Sequence, residues 1–280
     1  MNMIFSRLAS SIGNSDFLRL LKEGVLQALF PRVCPVCGEI LRLPKGSLRL
    51  LYSSVPVSSV QRCRPLLICS ACYPALTPVS GAVCRKCTKP LFSEEESLCE
   101  NCRKGNAHFE EGASLWIHDD AAKKILYDLK FHNRRDNADL IGFELALKMK
   151  ERMIRWQPEV LLPVPLHKKR LQQRGFNQAQ LIAEKLSFWL EKLYGIRVPV
   201  DASYLLRCEN TRPQRTIDAA RRSRNVARAF TIREDGKTPY RSVVLLDDIY
   251  TSGATINACA GKLKEAGCKQ VCFITASIVS

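Results

Sequence analysis

Val243-Val244-Leu245-Leu246-Asp247-Asp248-Ile249-Tyr250-Thr251-Ser252-Gly253-Ala254-Thr255 is the stretch that decides the fold. Its short apolar run reads as a strand buried on both faces, the pattern of a parallel sheet. Two adjacent carboxylates end the run. A loop of small and hydroxyl residues follows, then a helix whose apolar positions recur at Ile256, Ala260, Leu263 and Gly267. In open α/β sheets, ligands bind just beyond the carboxyl ends of the strands. A Thr-Ser-Gly-Ala loop entering a helix offers a phosphate backbone N–H groups, hydroxyls and about half a positive charge. The acid pair can accept hydrogen bonds from sugar hydroxyls or hold Mg²⁺ through water. An ordinary βα turn carrying two acids is the plain alternative. The order strand, acid pair, hydroxyl-glycine loop, helix favours a sugar-phosphate site.

Working outward, 280 residues accommodate one α/β domain and a smaller module, and a 46% hydrophobic content provides its core. A formal charge of +16 calls for polyanionic partners, with pyrophosphate and nucleic acid equally eligible. No apolar run approaches the roughly 20 residues of a membrane span. The first residues, Met1 to Arg7, lack the pattern of a signal peptide. Residues 17–30 read as an amphipathic extension packing on its own protein. The expectation is a cytoplasmic protein without stable membrane insertion.

Asp119 to Phe131 reads as a helix, with Ala122, Ile125, Leu126 and Leu129 on one face, and a second helix covers about Ala138 to Arg155. Val160 to Pro165 is a buried strand stopped by prolines. A basic turn with Lys168, Lys169 and Arg170 follows, then Arg174-Gly175-Phe176-Asn177-Gln178-Ala179 and a helix to about Leu193. Strand, basic turn and helix start form a second anion-binding corner, against the alternative of a solvated turn. His167 reads as a surface histidine rather than a proton carrier. Between Arg207 and Arg228 lie seven arginines against two acids, which suits a cover over a charged ligand or a nucleic-acid contact.

Of thirteen cysteines, eight form four Cys-x-x-Cys pairs. Two such knuckles complete a tetrahedral zinc site, and zinc suits this set better than disulfides. The sequential partition places Cys34, Cys37, Cys69 and Cys72 on one structural Zn²⁺, and Cys84, Cys87, Cys99 and Cys102 on another. A crossed partition stays open, as does Cys63 as a substitute ligand. With four sulfurs apiece, the sites have no open position for catalysis. Cys208, Cys259, Cys268 and Cys272 read as thiols without function.

The acid-pair stretch resembles the phosphoribosyl-pyrophosphate (PRPP) motif of type I phosphoribosyltransferases. With the knuckles, Pro163-Val164-Pro165, the Arg-Gly-Phe-Asn-Gln block and Gln214, the chain from about Phe30 onward resembles the ComF family, in the layout of ComFC and GntX. That resemblance implies an N-terminal extension (1–30), a double zinc ribbon (31–109) and a type I phosphoribosyltransferase domain (110–280). It implies catalytic roles for Asp247, Asp248 and Arg215, the last on a flexible cover. It implies PRPP binding by Asp247, Asp248, Thr251, Ser252, Gly253, Ala254 and Thr255, with Val164, Pro165, Lys168, Arg170 and Arg174 around the pyrophosphate and its Mg²⁺. Thr88 stands where the third knuckle usually has Gly, and Ser252 where the loop commonly has Thr. Family members are associated with incoming single-stranded DNA in natural transformation, and the resemblance does not settle the reaction. Two readings follow. One is an enzyme transferring ribose phosphate from PRPP to a nitrogen acceptor, serving DNA uptake or nucleotide salvage. The other is a single-stranded-DNA-handling protein, working with the DNA-uptake machinery, whose PRPP site is regulatory or vestigial.

Overall fold

The computed structural model of the protein describes residues 31–41, 64, 67–208, 229–233 and 240–280. The chain divides into two compact units, Met1–Tyr73 and Pro74–Ser280. The expected zinc-ribbon region, 31–109, is thus shared between them, and the extension over 1–30 lies outside the described residues.

In the larger unit the described elements run α1 (Glu100–Arg103), β1 (Glu111–Ile117), α2 (Asp120–Phe131), α3 (Asn137–Trp156), β2 (Val160–Pro163), α4 (Lys168–Arg174), α5 (Gln178–Tyr194), β3 (Leu205–Arg207), β4 (Phe230–Ile232), β5 (Ser242–Tyr250), α6 (Ala254–Glu265) and β6 (Gln270–Ile278). Four strands form a parallel sheet in the order β1-β6-β5-β2, while β3 and β4 pair antiparallel apart from it. The protein is therefore mixed α/β, a parallel sheet flanked by helices, with two four-cysteine clusters toward the N-terminus.

Both faces of the sheet are covered, which is why β5 and β6 are almost uniformly apolar. On one face α3 packs against α5. Their close approach depends on Gly142, where a Cβ would meet Lys185 Cβ at 2.5 Å, and Phe143 meets Trp189 edge-on at 5.1 Å. On the other face Val243, Leu245, Val271 and Phe273 share a core with Ile256, Cys259 and Leu263 of α6, with Phe230 and with the four sulfurs of the second cluster.

Local chemistry sets the helix ends. Asp119 caps α2 by accepting from Ala122 N at 2.9 Å, and Asn177 caps α5 by accepting from Ala179 N at 3.0 Å. Gly195 closes α5 with φ 68°. The basic turn differs from its expected form: Lys168 to Arg174 is a short helix, capped by His167 Nδ1 on Lys169 N at 3.3 Å and closed by Gly175 at φ 79°. The prolines end β2 at Pro163, and α6 stops at Glu265, so Gly267 belongs to the turn before β6.

Candidate functional site and metal centres

The site forms where β5 ends. Strand alternation sends the two acids in different directions. Asp247 points toward α6, within electrostatic reach of Cys259 and Arg207. Asp248 is 6% exposed and points toward α2 and α5, where Lys130 forms an ion pair with it and Gln178 lies close by. The pair stays joined through the backbone, since Asp248 N donates to Asp247 Oδ1 at 2.8 Å.

Their protonation follows from these surroundings. Burial and the neighbouring Asp248 carboxylate push Asp247 well above the usual carboxylate range. Burial works against ionising Asp248 too, but Lys130, Asp247 and Gln178 overcome it and hold its pKa below the usual value. The two acids are thus pushed in opposite directions, Asp247 up and Asp248 down, because adjacent carboxylates resist double ionisation.

The Arg-Gly-Phe-Asn-Gln block is built onto this pair. Arg174 Nη1 donates to Gln178 Oε1, and its guanidinium lies over Phe131 at 5.2 Å. Arg135 covers Phe176 at 4.6 Å. Asn177 Nδ2 donates to Val164 O at 3.0 Å, pinning the β2 turn to the start of α5, while Val164 N donates to Leu246 O at 2.8 Å. Gly175 supplies the left-handed residue that lets α4 turn into α5. Arg170 of α4 lies within electrostatic reach of Arg174 on the same helix and of Arg207 at the end of β3, Arg174 within reach of Asp248, and Arg207 within reach of Asp247. Burial lowers the pKa of Arg174 and Arg207, Asp248 opposes the shift at Arg174, and Asp247 opposes it at Arg207. This basic surround suits an anionic ligand.

Of the residues singled out in the sequence, Asp247, Asp248, Val164, Arg170 and Arg174 come together here. Pro165 is half-buried in the β2 turn, and Lys168, at the start of α4, is exposed. Thr251 and Ser252 form the exposed loop, Gly253 precedes α6 with φ 78°, and Ala254 and Thr255 open the helix. Arg215 and Gln214 lie outside the described residues. Lys130 and Gln178 went unassigned in the sequence. Their spacing marks them only as one lysine among many and as the first residue of a helix.

Ahead of α2, a cavity of about 590 Å³ is lined by His118, Tyr127, Lys130, Phe131, His132 and Ile249, among others. His118 Nδ1 sits 2.8 Å from Ser277 Oγ. Burial, followed by Lys130 and Lys123, lowers its pKa, so it is neutral at pH 7. Tyr127 and Phe131 are exposed, with ring centroids 4.8 Å apart.

The cysteines fall into two sets, Cys34/Cys37/Cys69/Cys72 and Cys84/Cys87/Cys99/Cys102, with the sulfurs in each within 4.8 Å of one another. Cys37 and Cys69 sulfurs are 3.8 Å apart, and Cys87 and Cys99 sulfurs 3.6 Å. A tetrahedron with Zn–S bonds of about 2.3 Å has edges of about 3.8 Å, so both sets fit Zn²⁺. Cys63 lies outside the described residues. Thr88 occupies the left-handed conformation its usual glycine would take, φ 59°, and its Oγ1 accepts from Ser114 N of β1 at 3.1 Å. The departure removes no ligand.

No family model matches the chain. The chain is 29% identical over 209 residues to "Competence protein F" of Haemophilus influenzae, covering 73% of this chain and 87% of that protein. It is 27% identical over 243 residues to "Competence protein ComFC" of Streptococcus pneumoniae, covering 85% and 96%. The chain thus has homologues named as competence proteins. Another relative, "DNA utilization protein YhgH" of Escherichia coli K12, is 28% identical over 207 residues, covering 73% and 87%. Among the described residues, no helix is long and apolar enough to cross a membrane.

Proposed function

We propose that the protein binds PRPP at the end of β5 and transfers its ribose 5-phosphate to a nitrogen acceptor, in the cytoplasm and in the service of DNA uptake or nucleotide salvage. The observation carrying this reading is the placement of the acid pair. A buried parallel strand delivers Asp247 and Asp248 directly before a loop that opens a helix, amid Arg170, Arg174 and Arg207. The names of the relatives, competence and DNA utilization, support the biological setting.

In this reading the acid pair accepts hydrogen bonds from the ribose hydroxyls. Residues 251–255 take the 5-phosphate on backbone N–H groups. The β2 turn from Val164, with Lys168, Arg170 and Arg174, takes the pyrophosphate. Catalysis is positioning plus stabilisation of the charge that grows on pyrophosphate as its bond to the ribose C1 breaks. Arg215 would serve from the arginine-rich cover, helping to exclude water. Mg²⁺, when bound, neutralises phosphate charge. Because Lys130 already pairs with Asp248, Asp247 is the carboxylate that would help hold the ion.

Calorimetric titration of Mg²⁺–PRPP into zinc-loaded protein and into the Asp247→Asn/Asp248→Asn double variant tests the reading. Binding to the wild type that disappears in the double variant is expected. No binding to the wild type sinks it.

A second reading, single-stranded DNA handling, is favoured by the face of α2. Tyr127 and Phe131 stand exposed between Lys123, Lys124 and His132, an arrangement suited to stacking bases beside a phosphate backbone. On this reading the DNA footprint includes α2 as well as the arginine-rich segment, the basic residues of α4 and the zinc ribbon.

A further inference from the structure

The loop over 251–255 is held from outside its own helix. Asn101 of α1 donates Nδ2 to Ser252 O at 3.4 Å. Asn257, in the first turn of α6, accepts from His108 N at 2.7 Å and donates to Asn106 O at 2.9 Å. The clamp thus comes from the segment carrying Cys99 and Cys102. A cavity of about 280 Å³ lies between this segment and the loop.

Beneath the loop is Tyr250, 4% exposed, the last residue of β5. Its ring stacks on Phe273 with centroids 4.9 Å apart and planes 4° from parallel. Its side chain shares one core with the second cluster, whose Cys87, Cys102 and Cys99 lie within electrostatic reach of its hydroxyl. The same oxygen fills the space a side chain at 253 would need, since a Cβ there would lie 2.3 Å from Tyr250 Oη. Gly253 is also left-handed, so contact and conformation both reserve the position for glycine.

We infer that the second four-cysteine cluster is a positioning element for the phosphate loop, with Tyr250 as the link. Metal-bound thiolates are fixed anions, and the groups packed around them take their place from them. With four thiolates gathered on one ion, the cluster holds in place the Tyr250 side chain packed against it, and the Tyr250 hydroxyl in turn fixes Gly253 and the start of α6. Without the ion the thiols have no common centre, the packing around Tyr250 loses its anchor, and the Asn101–Ser252 and Asn106–Asn257 contacts loosen with the knuckle. The metal content of this cluster thereby sets the anion affinity of the loop. The inference rests on the reading of the loop as the 5-phosphate site.

The test is amide hydrogen exchange at residues 251–255 of the full chain without ligand, paired with calorimetric titration of Mg²⁺–PRPP. Tyr250→Phe keeps the ring and removes only the hydroxyl. It is expected to retain two zinc ions per chain, speed exchange at these amides and weaken PRPP binding by about fivefold, the worth of one polar contact. Asn101→Ala, which leaves the cluster untouched, is expected to speed exchange at Ser252 and Gly253. Unchanged exchange in both variants overturns the inference. So does Cys37→Ser, in the other cluster, if it speeds the loop as much as Cys87→Ser does. A wild type that binds no PRPP defeats the phosphate reading, while the exchange experiment still decides whether cluster and loop are coupled.

Discussion

Cys34 and Cys84 open turns with the same backbone bonds. Cys34 N donates to Glu39 O at 2.7 Å and Gly38 N to Cys34 O at 2.9 Å. Cys84 N donates to Lys89 O at 2.8 Å and Thr88 N to Cys84 O at 2.8 Å. Each turn is closed by an antiparallel bridge, Val33 with Ile40 and Val83 with Pro90. Their surroundings differ. In the first cluster only Cys34 is buried and Cys37 is exposed, whereas all four cysteines of the second are buried within the core on the α6 face of the sheet. The same knuckle is thus a local staple in one place and part of the hydrophobic core in the other. Burial, rather than motif, decides how far the loss of a metal ion spreads.

The largest effect expected from this comparison is on unfolding. Cys87→Ser leaves an incomplete ligand set inside the core and should destabilise the larger unit by at least about 3 kcal/mol, because binding of a structural metal is folding free energy. Cys37→Ser should lower the zinc content from two to one and leave the main calorimetric transition in place. Equal loss of that transition in both variants breaks the comparison.

A smaller effect is expected where the turns diverge. Gly38 and Thr88 both adopt left-handed backbone, but only Thr88 has a polar partner, Ser114 N. Gly38→Thr should cost about 1–2 kcal/mol of strain with nothing to offset it. Thr88→Gly relieves strain but orphans Ser114 N, so its net change should be smaller. Denaturant melts of the two variants check this.

The smallest effect separates acid lability of the sheet from that of the thiolates. Burial raises the pKa of Glu111, but Trp156, Arg155 and Arg152 more than compensate and hold it below its ordinary value. A depressed carboxyl contributes stability that is present above its unfolded pKa and lost as pH falls through the folded value. Glu111→Gln should therefore flatten the acid limb of the stability profile by under about 1 kcal/mol, since the clamp is partly exposed. Zinc retention should be unchanged, as a metal-binding dye can show.

What could be read from sequence was local. The run from Val243 to Asp248 and the apolar stripe of α2 follow from periodicity. The Cys-x-x-Cys spacing named the ligands, though not the surroundings of each cluster. What escaped were meetings between distant residues. Lys130 flanks the apolar stripe of α2, one turn beyond Leu126, where a lysine reads as the ordinary polar border of a helix, so its spacing gave no hint of the reach to Asp248. Asn101, Asn106 and Asn257 are unremarkable in a loop and a helix until folding brings them together. Periodicity also could not show that Lys168 to Arg174 coils into a helical turn, because its polar side chains carry no apolar stripe.

The strand order has a consequence for synthesis. In the four-stranded sheet β1 pairs with β6 alone, Glu111 to Ile117 against Cys272 to Ile278. At ribosomal rates, the stretch between these partners takes roughly ten to thirty seconds to make. Throughout that interval the apolar β1 has been translated while its neighbour does not yet exist. The nascent chain must shield Ala113, Leu115 and Trp116 by other means, and a chaperone is the natural stand-in for β6 until the last strand leaves the tunnel.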